Sequence, residues 1–248
     1  MKVRDALALL SFFTVWPSRR SSLDDVARAV VLLPFIGVVT GLCGAIFVLL
    51  GYVLPSGIAA VLALAAVLIS AGFHHADGVL DTGDALMAHG EPERRRAVLK
   101  DVRVGIGGLG ALFVVYGPAL AALVAMTEAS PWRAAVALIS AEIAVRSTML
   151  IMLTLGTSAE STSSSAPFTK VLSGDYGRAA LAVAALIPAA ALASLGFPAV
   201  LTVVAVPLVA GIALRVSRNT FGGISGDLIG AGGEATRMVV LVILSAVI

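Results

Sequence analysis

Apolar residues run along this chain in long blocks, and polar residues are confined to the stretches between them. A helix that crosses a bilayer needs about 20 apolar residues. Six runs approach or exceed that length: Ala29–Leu54, Gly57–Phe73, Val104–Met126, Trp132–Leu155, Ala179–Leu195 and Ala199–Val216. The last run, Met238–Ile248, is too short alone and spans only if its helix begins near Asp227, through a glycine-rich start. The first, Val3–Trp16, is also too short and reads as an interfacial or re-entrant helix ending at Pro17. The pattern predicts an all-α, polytopic integral membrane helical bundle. It has six to seven transmembrane helices plus the short N-terminal one, in a single catalytic domain over residues 1–248. Gly37 and Gly41 predict a close helix–helix approach. Pro34 and Pro207, inside spans, predict kinks.

Composition agrees and excludes a soluble globular domain. The chain is 59% hydrophobic and 13% charged, against about a quarter charged in soluble domains, and its mean hydropathy is +1.02. Lys2 and Arg4 are followed by Asp5 with no clean small-residue cleavage site, so no cleavable signal peptide is expected. The single Cys43 excludes an intramolecular disulfide and reads as a packed small hydrophobe.

Charge placement sets the topology. With the N-terminus inside and each run crossing once, segments 17–28, 74–103, 156–178 and 217–237 fall on the cytoplasmic side, and 55–56, 127–131 and 196–198 fall outside. Of 17 Lys and Arg, all but Arg133 and Arg146 then lie in or beside the inside segments, which satisfies the positive-inside rule. Trp16 falls at the inner interface, and Tyr52 and Trp132 at the outer one. The outside connections are too short to hold a site. The reading is a multi-pass protein of the cell membrane whose site faces the cytoplasm.

The polar island from His74 to Arg103 carries the chemistry. Asp77, Asp81 and Asp84 are spaced four and three apart and share one helix face. One Asp at a helix start is explained by the helix dipole; three on one stripe point to a hard divalent cation such as Mg2+, which also contacts substrate phosphates. No Cys or paired His spacing supports zinc. His74 and His75 are either interfacial polar residues or groups for phosphate contact and proton transfer. Arg94–Arg96 read as a membrane-flanking basic cluster, whereas Lys100 and Arg103, at the mouth of the next span, suit phosphate oxygens. The glycine-rich stretch Gly222, Gly223, Gly226 could offer backbone amides to an anion. Asp227, in that stretch, makes sense beside a cation, or else as a helix N-cap. Glu142 and Arg146 are i,i+4 partners inside a span, as a structural ion pair or a substrate contact. Ser158–Ser165 reads as a flexible cytoplasmic loop, with a substrate lid as the alternative.

Taken together, these residues resemble the cobalamin synthase family, the membrane-bound adenosylcobinamide-GDP ribazoletransferases. The resemblance rests on His75-Ala-Asp77-Gly78-Val-Leu-Asp81-Thr-Gly-Asp84, on Lys100-Asp101-Val-Arg103-Val-Gly105-Ile-Gly-Gly108, and on Gly222-Gly223-Ile-Ser-Gly226-Asp227-Leu-Ile-Gly230. The start Phe13-Thr14…Pro17 agrees as well, so the likeness covers essentially the whole chain. It implies a Mg2+-dependent transfer joining adenosylcobinamide-GDP to alpha-ribazole or its 5'-phosphate, with release of GMP. In that reading Asp77, Asp81, Asp84 and Asp227 hold the metal, Lys100 and Arg103 hold phosphate, Asp84 or His75 orients or deprotonates the attacking hydroxyl, and Gly222, Gly223 and Gly226 line the nucleotide loop. The implied partners are the two substrates and the lipid bilayer, with no nucleic acid and with a homo-oligomer left open. Two other classes stay in view. A CDP-alcohol phosphotransferase also uses an acidic membrane-edge motif, but expects Ala-Arg after its Asp-Gly, where this chain has Leu80-Asp81. A transporter expects acids near mid-span, and here nearly all are expected in the cytoplasmic segments.

Overall fold

The computed structural model describes residues 2–17, 22–160, 162–196 and 200–247. Ala199 at the start of the sixth run, residues 197–198 of an outer connection, 18–21 of the first inner segment, Ser161 and Ile248 lie outside the described residues. Helices α1 (Val3–Phe13) and α2 (Leu23–Arg28) open the chain, followed by α3 (Leu33–Val48), α4 (Ser56–Ser70), α5 (His74–Met87) and α6 (Pro92–Leu99). Then come α7 (Ile106–Ala129), α8 (Pro131–Leu155), α9 (Ala166–Val171), α10 (Gly174–Ala193), α11 (Ala205–Phe221) and α12 (Gly226–Val247). Among the described residues the only β-type pairing is an isolated parallel bridge between Ser158 and Ile224.

Among the described residues, six segments are long and apolar enough to cross a membrane: Val30–Tyr52, α7, α8, α10, Thr202–Phe221 and α12. The protein is a multi-pass helical bundle of the expected class. Helix α8 is its axis, buried from Ala134 to Leu153 with few breaks and packed on α3, α10, α11 and α12. Small residues let neighbours approach it. A Cβ at Gly37 of α3 would come within 2.4 Å of the Glu142 carbonyl oxygen, and one at Gly41 within 2.7 Å of the Ile139 Cα, so the close approach expected of these glycines is present. Pro34 and Pro207 both lie near the start of a helix. Pro34 lies in the first turn of α3 and Pro207 three residues into α11, each just after a 3-10 turn, where a missing N–H costs no hydrogen bond.

Two expected boundaries moved. The run Gly57–Phe73 stops as a helix at Ser70, and the chain then turns by 92° into α5. Gly72 (φ +67°) and Phe73 (φ +58°) make the bend, and Phe73 is the only non-glycine residue with positive φ among those described. A non-glycine left-handed residue costs about 1–3 kcal/mol. Fifteen residues of α4 reach only about 22 Å, so the polar α5 leaves the span's direction at the end of the bundle. The segment 217–237, expected as a loop, is mostly helical: α11 runs to Phe221 and α12 starts at Gly226. Glu234 and Arg237 consequently lie buried inside the bundle.

Candidate active site

Helix α5 is the platform of the site. Its spacing places the acidic residues on one face, as the sequence predicts, but they meet different surroundings. Asp77 is exposed and Asp81 half-buried, and both border a cavity with Lys100 and Arg103. Asp84 turns instead to the start of α7. Its carboxylate accepts the backbone N–H of Gly105 at 2.7 Å and of Gly108 at 2.8 Å. This caps one helix from another and places a negative charge at a helix N-terminus, where the exposed amides and the dipole both favour it. Both Asp84 oxygens are thus engaged in a clamp that fixes the loop carrying Lys100 and Arg103.

Asp227, roughly 150 residues on in the sequence, is brought to the same place. A Cβ at Gly78 would meet the Asp227 carbonyl oxygen at 2.7 Å and its Cα at 3.0 Å. Gly78 is therefore the position at which α5 lets the start of α12 lie against it. The capping alternative for Asp227 falls to Ser225, whose hydroxyl accepts the Leu228 N–H at 3.4 Å. Burial, followed by the like charges of Asp77, Asp227 and Asp84, pushes the Asp81 carboxyl up to about 6. Mutual repulsion of this kind is relieved by a proton or by a cation. Among the described residues no three acidic, His or Cys side chains stand close enough to ligate one ion by themselves. The oxygen-only donor set fits Mg2+ held by one or two carboxylates, with water and phosphate oxygens completing it, which is that ion's usual habit.

Three cavities adjoin here. One of about 460 Å3 is lined by Phe12, Phe13, His75, Asp77, Phe168 and Asp227, among others. A second of about 260 Å3 contains Arg96, Lys100, Glu160, Ser164 and Asp227. A third, also about 260 Å3, contains Asp77, Asp81, Lys100 and Arg103. They share Asp77, Asp227 and Lys100 pairwise, so the carboxylates and cations border adjoining cavities. The cations hold exchangeable partners. Lys100 Nζ lies 2.8 Å and Arg96 Nε 3.4 Å from Glu160, and Arg103 pairs with its near neighbour Asp101 at 2.7 Å.

The glycine stretch divides by role. Gly222 takes the left-handed conformation that ends α11 (φ +76°). A Cβ at Gly223 would strike the Thr157 carbonyl oxygen at 2.6 Å. The two serve the chain reversal, and of the three glycines only Gly226 borders the first two cavities. The serine-rich segment is pinned to this reversal. Ile224 N–H donates to the Thr157 carbonyl at 2.8 Å, and Ala159 N–H to the Ile224 carbonyl at 3.0 Å.

Behind the cavities lies a buried polar network. Arg146 Nη1 stands 2.8 Å from His75 Nδ1. A guanidinium only donates, so Nδ1 accepts and the ring proton of neutral His75 sits on Nε2. Burial, and then the charges of Arg146 and Arg237, hold the imidazole well below its usual basicity. The i,i+4 partners Glu142 and Arg146 do not pair with each other. Arg237 Nε donates to Glu142 Oε1 at 2.5 Å, and Thr40 donates to Glu142 Oε2 at 2.8 Å. Glu234 accepts from Arg237 and, at 2.8 Å, from Tyr116.

Sequence reasoning overlooked the aromatic wall. Phe12 and Phe13 stand edge-to-face at 5.0 Å, Phe168 is 5.9 Å from Phe12, and Phe13 is 6.2 Å from His75. The signal available was the Phe pair at the end of an apolar run too short to span. It reads as interface anchoring until tertiary packing brings α9 against it.

Comparison with known proteins agrees with this geometry. The profile of the cobalamin-5-phosphate synthase family matches residues 5–245. A protein of Sulfolobus acidocaldarius named adenosylcobinamide-GDP ribazoletransferase is 45% identical over 111 residues, covering 44% of this chain and 43% of that protein. One of the same name from Saccharolobus islandicus is 40% identical over 126 residues, 50% of this chain and 49% of the relative. These two matches span less than half the length of each relative. A third so named, from Methanocella arvoryzae, is 33% identical over 260 aligned positions, 97% of this chain and 95% of that one. No solved structure matches.

Proposed function

The chain belongs to the cobalamin-5-phosphate synthase family, and on that premise we propose that it joins adenosylcobinamide-GDP to alpha-ribazole or its 5'-phosphate. The observation that carries the reading is the convergence of Asp77 and Asp81 on α5 with Asp227 on α12, facing Lys100 and Arg103 across shared cavities. A pyrophosphate is the substrate class that such paired carboxylates and cations fit. A ribazole hydroxyl oxygen bonds to the phosphorus on the cobinamide side. The bond from that phosphorus to the oxygen leading to GMP breaks, GMP leaves, and the hydroxyl proton passes to a carboxylate.

One or two of Asp77, Asp81 and Asp227 would hold Mg2+, with water and phosphate oxygens completing its shell; when bound, it neutralises pyrophosphate and leaving-group charge. Lys100 and Arg103 exchange Glu160 and Asp101 for phosphate oxygens. His75, with Nδ1 engaged and Nε2 protonated, has no free lone pair and serves as a hydrogen-bond donor to substrate oxygen. Asp84 acts as the clamp on Gly105 and Gly108, so the base is sought among the other carboxylates. The aromatic wall of Phe12, Phe13 and Phe168 offers an apolar face to a large ring system. The Lys and Arg distribution supports a site open to the cytoplasm.

The test is to incubate purified protein in detergent or nanodiscs with Mg2+, adenosylcobinamide-GDP and alpha-ribazole, or its 5'-phosphate. The products expected are the corresponding cobalamin and one GMP per turnover, by chromatography and mass spectrometry. Folded protein that makes no product from either nucleophile overturns the proposal.

A further inference from the structure

A fourth cavity, of about 830 Å3, lies outside the site, between the end of α8 and the last turns of α11. Its polar side is formed by Arg215, Arg218 and Asn219, and its floor by Leu214 and the backbone of Gly223 and Ile224. Both arginines are exposed. Among the described residues neither guanidinium has a carboxylate within ion-pair distance; the ion pairs of this protein's other cations involve other residues. Two uncompensated cations in one concavity call for an anion.

What lies beside them says which anion. Val204, Leu208 and Ile212 are 61%, 59% and 56% exposed, as the lipid-facing side of a helix long and apolar enough to cross a membrane is. With Arg215 they follow one another at steps of four, four and three and so form a single stripe. The stripe is apolar for about 12 Å, from Val204 to Ile212, and then ends in the two cations. An apolar track that terminates in unpaired arginines beside a concave backbone matches an amphiphile with an anionic head, since basic pockets between helices at the cytoplasmic interface recognise anionic headgroups.

We propose that this groove is a binding site for an anionic glycerophospholipid. Its phosphate sits between Arg215 and Arg218, and its acyl chain lies along Ile212, Leu208 and Val204. The bound lipid braces the reversal at Gly223–Ile224, four residues before Asp227 begins to face the cavities. The inference does not depend on which reaction the chain performs.

The test is native mass spectrometry of the full-length protein in mixed micelles containing phosphatidylglycerol or phosphatidylcholine with the same acyl chains. Wild type should retain phosphatidylglycerol over phosphatidylcholine by about 30-fold, from the attraction of two surface arginines. Inorganic phosphate at millimolar concentration should not displace it. The Arg215→Gln/Arg218→Gln double variant should retain both lipids equally, and Arg215→Lys/Arg218→Lys should keep most of the preference, which controls for folding. Equal retention of the two lipids by wild type overturns the proposal. So does a preference unchanged in the Gln variant, and so does displacement by inorganic phosphate, which would make the groove a site for a free anion.

Discussion

The molecule holds two clusters of carboxylates and cations, and they are arranged in opposite ways. At the polar end, Asp77, Asp81 and Asp227 crowd one another, and burial with like charge pushes Asp81 up to about 6. The nearby exposed cations Lys100 and Arg103 spend their charge on the half-buried Glu160 and Asp101. Inside the bundle, Glu142, Arg237 and Glu234 alternate in sign and bond directly, with Thr40 and Tyr116 adding hydroxyl donors. The interior cluster balances two carboxylates against the guanidiniums of Arg146 and Arg237 within the protein, although Arg146 Nε and Nη2, Glu234 Oε1 and Arg237 Nη2 are buried without a hydrogen-bond partner among the described residues. The outer cluster keeps a surplus of like charge, which under the proposed function a cation and a phosphate would relieve. Burial alone is therefore a poor guide to which charges do chemistry; compensation is the better one.

Substitution in each cluster tests the contrast. The largest effect on turnover is expected from Asp77→Asn or Asp81→Asn. Each should cost about 10³-fold in kcat, from loss of transition-state charge neutralisation, while the melting temperature without metal holds or rises as repulsion falls. Near-normal activity of either variant at saturating Mg2+ would remove it from the metal site.

In the interior the effect should fall on folding. Arg237→Gln leaves Glu142 and Glu234 buried without their cation and should cost about 3–5 kcal/mol of stability, read by thermal unfolding in detergent. Unfolding indistinguishable from wild type would mean that the interior network is not compensating charge.

Asp84 separates the two roles on one helix. As a clamp accepting two backbone amides, Asp84→Asn should lose about 1.5–3 kcal/mol of stability and far less activity than its neighbours at 77 and 81. A loss of turnover equal to theirs, with stability intact, would make Asp84 a ligand. The smallest effect is expected at Glu160. Glu160→Gln frees Lys100 and Arg96 and should lower KM a few-fold, since exposed ion pairs are weak and screened; the gain should shrink as salt is raised. An increased KM would show that Glu160 itself contacts substrate.

Sequence by itself determined the class of this protein. Apolar run lengths fix a multi-pass helical bundle, because an unpaired backbone cannot cross hydrocarbon. The stripe at 77, 81 and 84 was legible because helical spacing is local. Its uneven use was not: Asp84 is drawn to the amides of Gly105 and Gly108, and no pattern within α5 shows where α7 begins. Nor could spacing show that Gly78 admits the backbone of Asp227, or that Glu142 pairs with Arg237 instead of its i,i+4 neighbour. Glu234 and Arg237 were misplaced in a loop because two polar residues diluted an apolar run. Only tertiary packing decided these points, because compensation of a buried charge depends on which helices meet, and that is settled by close contacts far apart in sequence.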